Sequence, residues 1–170
     1  MPRSKYTLLY YIGAPALWLL LLTGCNKQTV YNHFEHTSIA GWEKNDTLNF
    51  ITSPMAQDGR YAEELELRIT KTYPFSSLQL IVEQSIEQQK PSEKSGQMRN
   101  VMLKSDTLRC ILSDSIGMFT GKGISYYQYS FPLPTLQLNQ GDRLRITVRH
   151  DMKREILPGI ADIGLHLTKQ

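Results

Sequence analysis

Residues Arg143 to Arg149 alternate without a break: Leu144, Ile146 and Val148 are apolar, and Arg143, Arg145, Thr147 and Arg149 between them are polar. A period of two puts one set of side chains on each face of a pleated strand, whereas a helix, with a period near 3.6, would mix them. The same pattern runs through Arg60 to Thr72, where Tyr61, Leu65, Leu67 and Ile69 share one face and Glu64, Glu66, Arg68 and Thr70 the other. Shorter versions stand at Leu48 and Phe50, at Leu78, Leu80 and Val82, at Leu108, Cys110 and Leu112, at Tyr127, Tyr129 and Phe131, and at Ile163, Leu165 and Leu167. Turn residues punctuate them: Asp58-Gly59, Pro74, Pro91 to Gly96, Gly117 to Gly123, and Asn139 to Asp142. Leu80 to Gln89 holds some helix formers, but its β-branched residues fit a strand running into a polar loop at Pro91 to Gln97. Many short strands with regular turns predict an all-β chain: a single antiparallel β-sandwich, jelly-roll-like, over residues 31–170.

The amino-terminal stretch obeys different rules. Arg3 and Lys5 open it, the apolar run Ala14 to Leu22 follows, and Thr23 and Gly24 stand directly before Cys25. A basic start, an apolar run of roughly 7–15 residues and a small-residue cleavage site mark a secretory signal. A spanning helix needs about 20 apolar residues, and this run stops short. Leu22-Thr23-Gly24-Cys25 resembles the bacterial lipobox, in which the cysteine thiol takes a diacylglyceryl group and cleavage falls before it. That reading makes residues 1–24 a lipoprotein signal peptide, Cys25 the lipidated residue and 25–30 a short tether. Each buried methylene contributes about 0.8 kcal/mol, and several acyl chains on one residue give a stable anchor. The tether Asn26-Lys27-Gln28-Thr29 carries no acidic residue. This favours an anchor in the outer membrane with the domain facing the periplasm.

Charge and cysteine usage exclude two classes. The leader holds two of the 19 basic residues and none of the 16 acidic ones, so the mature chain carries about +1 rather than +3. A near-balanced chain has no electrostatic case for nucleic acid. With Cys25 acylated, Cys110 is the one remaining cysteine, which rules out an internal disulfide framework. Within Leu108 to Leu112 it reads as a small core residue.

Candidate chemistry is sparse. His33-Phe34-Glu35-His36 is the one histidine cluster, and it lacks the further ligands that a metal site needs. Gly117 to Gly123 fails the spacing of a phosphate loop and reads as a glycine-hinged turn. Ser113-Asp114-Ser115 has no nearby histidine to act as base. The carboxylates of Glu64 and Glu66 share a row with Arg68, which is the look of a solvated face. The chain therefore reads as non-enzymatic, with no cofactor. Two surfaces stand out for ligands or partners. Tyr127 and Tyr129 fall on one face of an aromatic run, which opens a carbohydrate-binding alternative. Arg143, Arg145 and Arg149, joined by Lys153 and Arg154, form a basic row suited to anionic headgroups or a partner.

From Tyr31 onward the order of landmarks resembles the gliding-motility lipoprotein family GldH of Bacteroidetes. The matching features are the lipobox ending at Cys25, Tyr31 with Trp42, Asp58 with Tyr61, and the strand ending Leu67-Arg68. Tyr73-Pro74-Phe75, the turn Leu112-x-Asp114-x-x-Gly117, Gly121-Lys122-Gly123 and the tail Met152 to Leu165 follow in order. The resemblance implies a non-enzymatic envelope lipoprotein, linked to gliding motility and type IX secretion, that works with protein partners of the envelope. It carries over no catalytic residues.

Overall fold

The computed structural model describes residues 28–89 and 98–170. The signal peptide, Cys25 and the loop at Pro91 to Gln97 lie outside the described residues. Strands β1 (Gln28–His36), β2 (Trp42–Glu43), β3 (Leu48–Ile51), β4 (Gly59–Ile69) and β5 (Ser77–Gln89) come first. They are followed by β6 (Met98–Ile111), β7 (Tyr127–Leu138), β8 (Arg143–His150), β9 (Ile156–Leu157) and β10 (Ile160–Lys169). All pairings are antiparallel. One four-stranded sheet has the order β1-β10-β4-β7, the other β3-β8-β5-β6, and β2 pairs with β9 in a small third ladder.

Leaving aside the two-residue strands, the long strands pair first with last, second with seventh, third with sixth and fourth with fifth. This is one long hairpin rolled up so that alternate rungs fall in opposite sheets, which is the jelly roll. The core lies between the sheets. Leu65, Leu67 and Leu165 from one side, and Leu80, Leu144 and Ile146 from the other, are all fully buried. Truncating any of them to alanine is expected to cost about 2–5 kcal/mol. The β2–β9 ladder closes one end with Trp42, which is also fully buried. Its indole N–H donates to the Asp46 carbonyl at 3.0 Å, and its ring packs edge-on against His150 at 5.3 Å.

Two details depart from expectation. β1 begins at Gln28, so residues 28–30 belong to the sheet and not to a tether. Its sequence is polar because it is an edge strand, with one neighbour and mostly exposed side chains. The second departure is Glu63, which takes an inward position on β4 and is only 1% exposed.

Candidate docking face at the loop end

The register sets a direction for the whole sandwich. Gln28 lies opposite Lys169, and the connections 52–58 and 139–142 turn at that same end, called here the entry end. At the opposite, loop end, connections 37–47, 70–76, 112–126 and 151–159 gather around His36, Ile69 and His150. Among the described residues, the large apolar side chains left in solvent concentrate there. Ile39 and Ile124 are essentially bare, at 107% and 91% exposure, and Ile116, Met118, Tyr126 and Ile156 are also exposed. Of these, Ile39, Ile124 and Tyr126 line one groove, and clustered exposed apolar surface is a mark of interaction sites.

On the outer face of the β1-β10-β4-β7 sheet, a groove of about 1310 Å³ runs up to this end. Its floor is a cross-strand row, one residue from each strand: His36, Asp162, Arg68 and Gln128. His36 Nδ1 meets one oxygen of Asp162, and Arg68 Nη1 lies 3.7 Å from the other. Arg68 Nε donates to Gln128 Oε1 at 3.1 Å. The guanidinium also lies 3.8 Å from the centre of the Phe34 ring, an arrangement that adds cation–π attraction. Phe34 in turn covers Gly164, where a Cβ would stand 2.6 Å from the ring. Glycine is needed here to let the aromatic ring lie flat on the sheet. Ile39, Ile124 and Tyr126 form apolar walls above this polar floor. The wall formed by 112–126 is fixed from below. Asp114 accepts the N–H groups of Ile116 and Met118, and Lys122 bridges Gln128 of β7.

The residues singled out from sequence fall elsewhere. Cys25 lies outside the described residues. Tyr127 and Tyr129 do share a face, but that face turns inward. Tyr129 is 9% exposed, and its hydroxyl donates to the Leu112 carbonyl at 2.6 Å. Tyr127 is half-buried and packs on Phe119 at 5.1 Å. Neither ring forms part of a surface row, which corrects the expectation of an aromatic ligand platform. Tyr126, in the preceding loop, is the exposed member.

The arginine row is broken by its neighbours on β5. Arg143 lies opposite Glu87, and Arg145 Nε and Nη2 donate to Glu87 Oε1 at 3.1 and 2.8 Å. Arg149 is opposite Ile81 and has no acidic partner within 4 Å among the described residues. Strand β5 therefore supplies the acid that offsets Arg145, the middle member, so the row is not an unbroken cationic face. Lys153 and Arg154 join a separate cleft at the loop end.

No group of three His, Cys, Asp or Glu side chains among the described residues is arranged to hold a metal ion. Cys110 is fully buried, and burial pushes its thiol up to about 12, leaving it inert as a nucleophile. Glu63 accepts a 2.7 Å hydrogen bond from Gln84 Nε2, while its other oxygen has no partner. Burial lifts its carboxyl to about 8, so it is mostly neutral near pH 7. The floor row and Glu63 both escaped sequence reasoning. The first is assembled from four strands, and the second is a lone acid inside an otherwise apolar phase.

The family model described as GldH lipoprotein matches residues 29–167. A protein of Christiangramia forsetii named "Gliding motility lipoprotein GldH homolog" is 23% identical over 176 residues, covering 98% of each chain. Among solved structures, the chain aligns with an aminopeptidase from a marine sediment archaeon (14% identity, TM-score 0.40) and an α-amino acid ester hydrolase (11%, 0.40). It covers 86% of itself but only 32% and 31% of those chains. At such scores the two enzymes say nothing about what this chain does.

Proposed function

The chain belongs to the GldH lipoprotein family, and on that premise we propose that it is a lipid-anchored, non-enzymatic assembly factor of the cell envelope. It serves gliding motility and the type IX secretion machinery linked to it. Cys25 holds it in the outer membrane, facing the periplasm, and protein partners bind at its loop end.

The observation that supports this reading best is the opposition of the two ends. Strand β1 starts three residues after Cys25, a reach of about 10 Å at roughly 3.3–3.6 Å per residue. The acyl chains therefore hold the entry end close to the bilayer and point the loop end away from it. The groove, its polar floor and the exposed Ile39, Ile124 and Tyr126 all stand at the end opposite the anchor. Arg68 and Asp162 are already tied to each other, so the floor is set before a partner arrives, which lowers the ordering cost of association.

Photo-crosslinkers placed at Ile124 and, as a control, at Val30 test this directly in living cells. The expected result is a discrete crosslinked envelope protein from position 124 and none from position 30. Recovery of the intact lipoprotein alone from both positions would count decisively against the reading. A separate measurement addresses the anchor: Cys25→Ser is expected to leave the leader uncleaved and unacylated by mass spectrometry. An acylated or normally trimmed Cys25→Ser chain would show that the anchor lies elsewhere.

A further inference from the structure

A second cavity at the loop end, on the outer face of the β3-β8-β5-β6 sheet, has a different chemistry from the docking groove. It is a cleft of about 700 Å³ lined by Phe75, Ser77, Gln79, Arg109, Met152 and the pair Lys153-Arg154, with Asp151 as its one acid. Arg109 of β6 faces Gln79 of β5 across the ladder, so it projects from the same outer surface. The segment carrying Lys153 and Arg154 is tied onto β5 beside it. Asp151 N–H donates to the Gln79 carbonyl at 2.8 Å, and Gln79 N–H donates to the Met152 sulfur at 3.4 Å. Two segments, β6 and the stretch after β8 that is tied onto β5, thus bring three cations to one concave site.

Three cations elsewhere on the described surface are locally offset: Arg145 by Glu87, Arg68 by Asp162 and Lys104 by Asp106. In the cleft, none of Arg109, Lys153 and Arg154 has an acidic partner within 4 Å among the described residues. Arg149 lies two residues before Asp151 on β8 and adds a fourth uncompensated cation to the same face. In a chain whose mature charge is nearly balanced, this concentration is a local property and not an overall excess. With three cations against the single acid Asp151, the cleft is net positive, and such a site raises the local concentration of counter-charged ligand. Guanidinium groups match carboxylate or phosphate oxygens with two parallel donors. Phe75, held edge-on against Tyr73 at 5.7 Å, supplies an apolar patch, and Gln79 and Ser77 supply hydroxyl-matching polar groups. The volume lies within the range of pockets that enclose a small ligand.

We propose that this cleft is a binding site for an acidic saccharide, a sugar unit bearing a carboxylate or phosphate. Arg109 and Arg154 take the anionic group, Lys153 adds to the field, and the ring packs on Phe75. An acidic protein segment is the competing occupant, and the Phe75 ring beside Ser77 and Gln79 favours a sugar over it.

The test is a titration of the mature full-length chain in detergent micelles with trigalacturonate, followed by amide shifts and calorimetry. Parallel titrations use a phosphorylated hexose, maltotriose as the neutral sugar, and a hexaglutamate peptide. Expected are shifts centred on Gln79, Arg109 and Lys153, with trigalacturonate or the phosphosugar binding at least tenfold more tightly than maltotriose or hexaglutamate. Which of the two acidic sugars binds more tightly then separates a carboxylate source from a phosphate source. The double change Arg109→Gln/Arg154→Gln should remove that binding with its melting temperature unchanged, and Arg60→Gln at the entry end should keep it. The proposal is overturned if neither acidic sugar exceeds maltotriose, if hexaglutamate binds equally well, or if the wild-type shifts lie outside the cleft. The last readout stands even where the double variant fails to fold.

Discussion

Replacing Glu63 with glutamine is expected to stabilise the domain by up to ~3 kcal/mol at pH 7 and to remove a slope from its stability–pH profile. Glu63 is 1% exposed, with one oxygen held by Gln84 and the other without a partner. Burial raises its carboxyl from 4.5 to about 8 in the folded chain. Between those values the folded state keeps a proton that the unfolded state has released. The stabilisation is therefore complete below about pH 4.5 and is lost progressively as the pH rises to about 8. Each pH unit in that window is worth about 1.4 kcal/mol at most. Glutamine keeps the shape and cannot ionise, so thermal melts of Glu63→Gln should not fall between pH 5 and pH 8, whereas those of the wild type should. A wild-type profile as flat as the variant's would remove the basis for this account. His150 works in the opposite sense. It is fully buried, and burial, as the main cause, lowers its pKa below 6.5, so its contribution is present above that value and lost as the pH falls through the folded pKa. The variant therefore exposes the His150 limb on its own.

Gly159→Ala is expected to destabilise by about 3 kcal/mol, the sum of a left-handed backbone and an overpacked contact. Gly159 has φ +80°, and a Cβ there would fall on the backbone nitrogen of Tyr73 and 2.7 Å from its Cα. Backbone cannot step aside as a side-chain tip would. The Gly159 carbonyl also accepts the Thr70 N–H at 2.8 Å, so this turn fastens the β4–β5 connection to the β9–β10 corner. Gly117 provides the control. It has φ +84°, but nothing lies within 4 Å of the added Cβ. Gly117→Ala should therefore show the conformational cost alone, about 1–2 kcal/mol. Urea midpoints measured with unchanged slopes separate the two effects. Equal losses at both positions would mean that the contact with Tyr73 contributes nothing. Because Gly159 and Ile160 border the docking groove, the same variant should also weaken capture of a partner through position 124.

Local alternation made β8 and most of β4 legible, down to which side chain faces which way. It could not reveal what lies across from them. Arg143, Arg145 and Arg149 do share a face, yet the acid that offsets Arg145 arrives on β5, through a register that no single strand encodes. Tyr127 and Tyr129 share a face too, but a period of two does not say which face turns inward. β1 was obscured for another reason: an edge strand with one neighbour buries little and so shows little alternation. Arg68 and Asp162, which meet in the groove floor, are 94 positions apart in the chain. Arg68 looks like ordinary solvated charge until β10 is placed beside β4.

The pairing of the first long strand with the last has a consequence for biogenesis. β1 hydrogen-bonds only β10, from Gln28 opposite Lys169 onward, and β10 also separates β1 from β4. A lipoprotein exported amino end first delivers β1 long before its partner. Every sheet contact of that strand must wait for β10, from Asp162 opposite His36 to Lys169 opposite Gln28. Closing so long a loop is slow, and during the wait an unpaired strand edge stands beside the bilayer, open to wrong partners. Acylation tethers the chain early, but the sheet nearest the anchor is completed last. The order of arrival thus runs opposite to the order of need, and a chain cut short within β10 would remain anchored with that sheet unfinished.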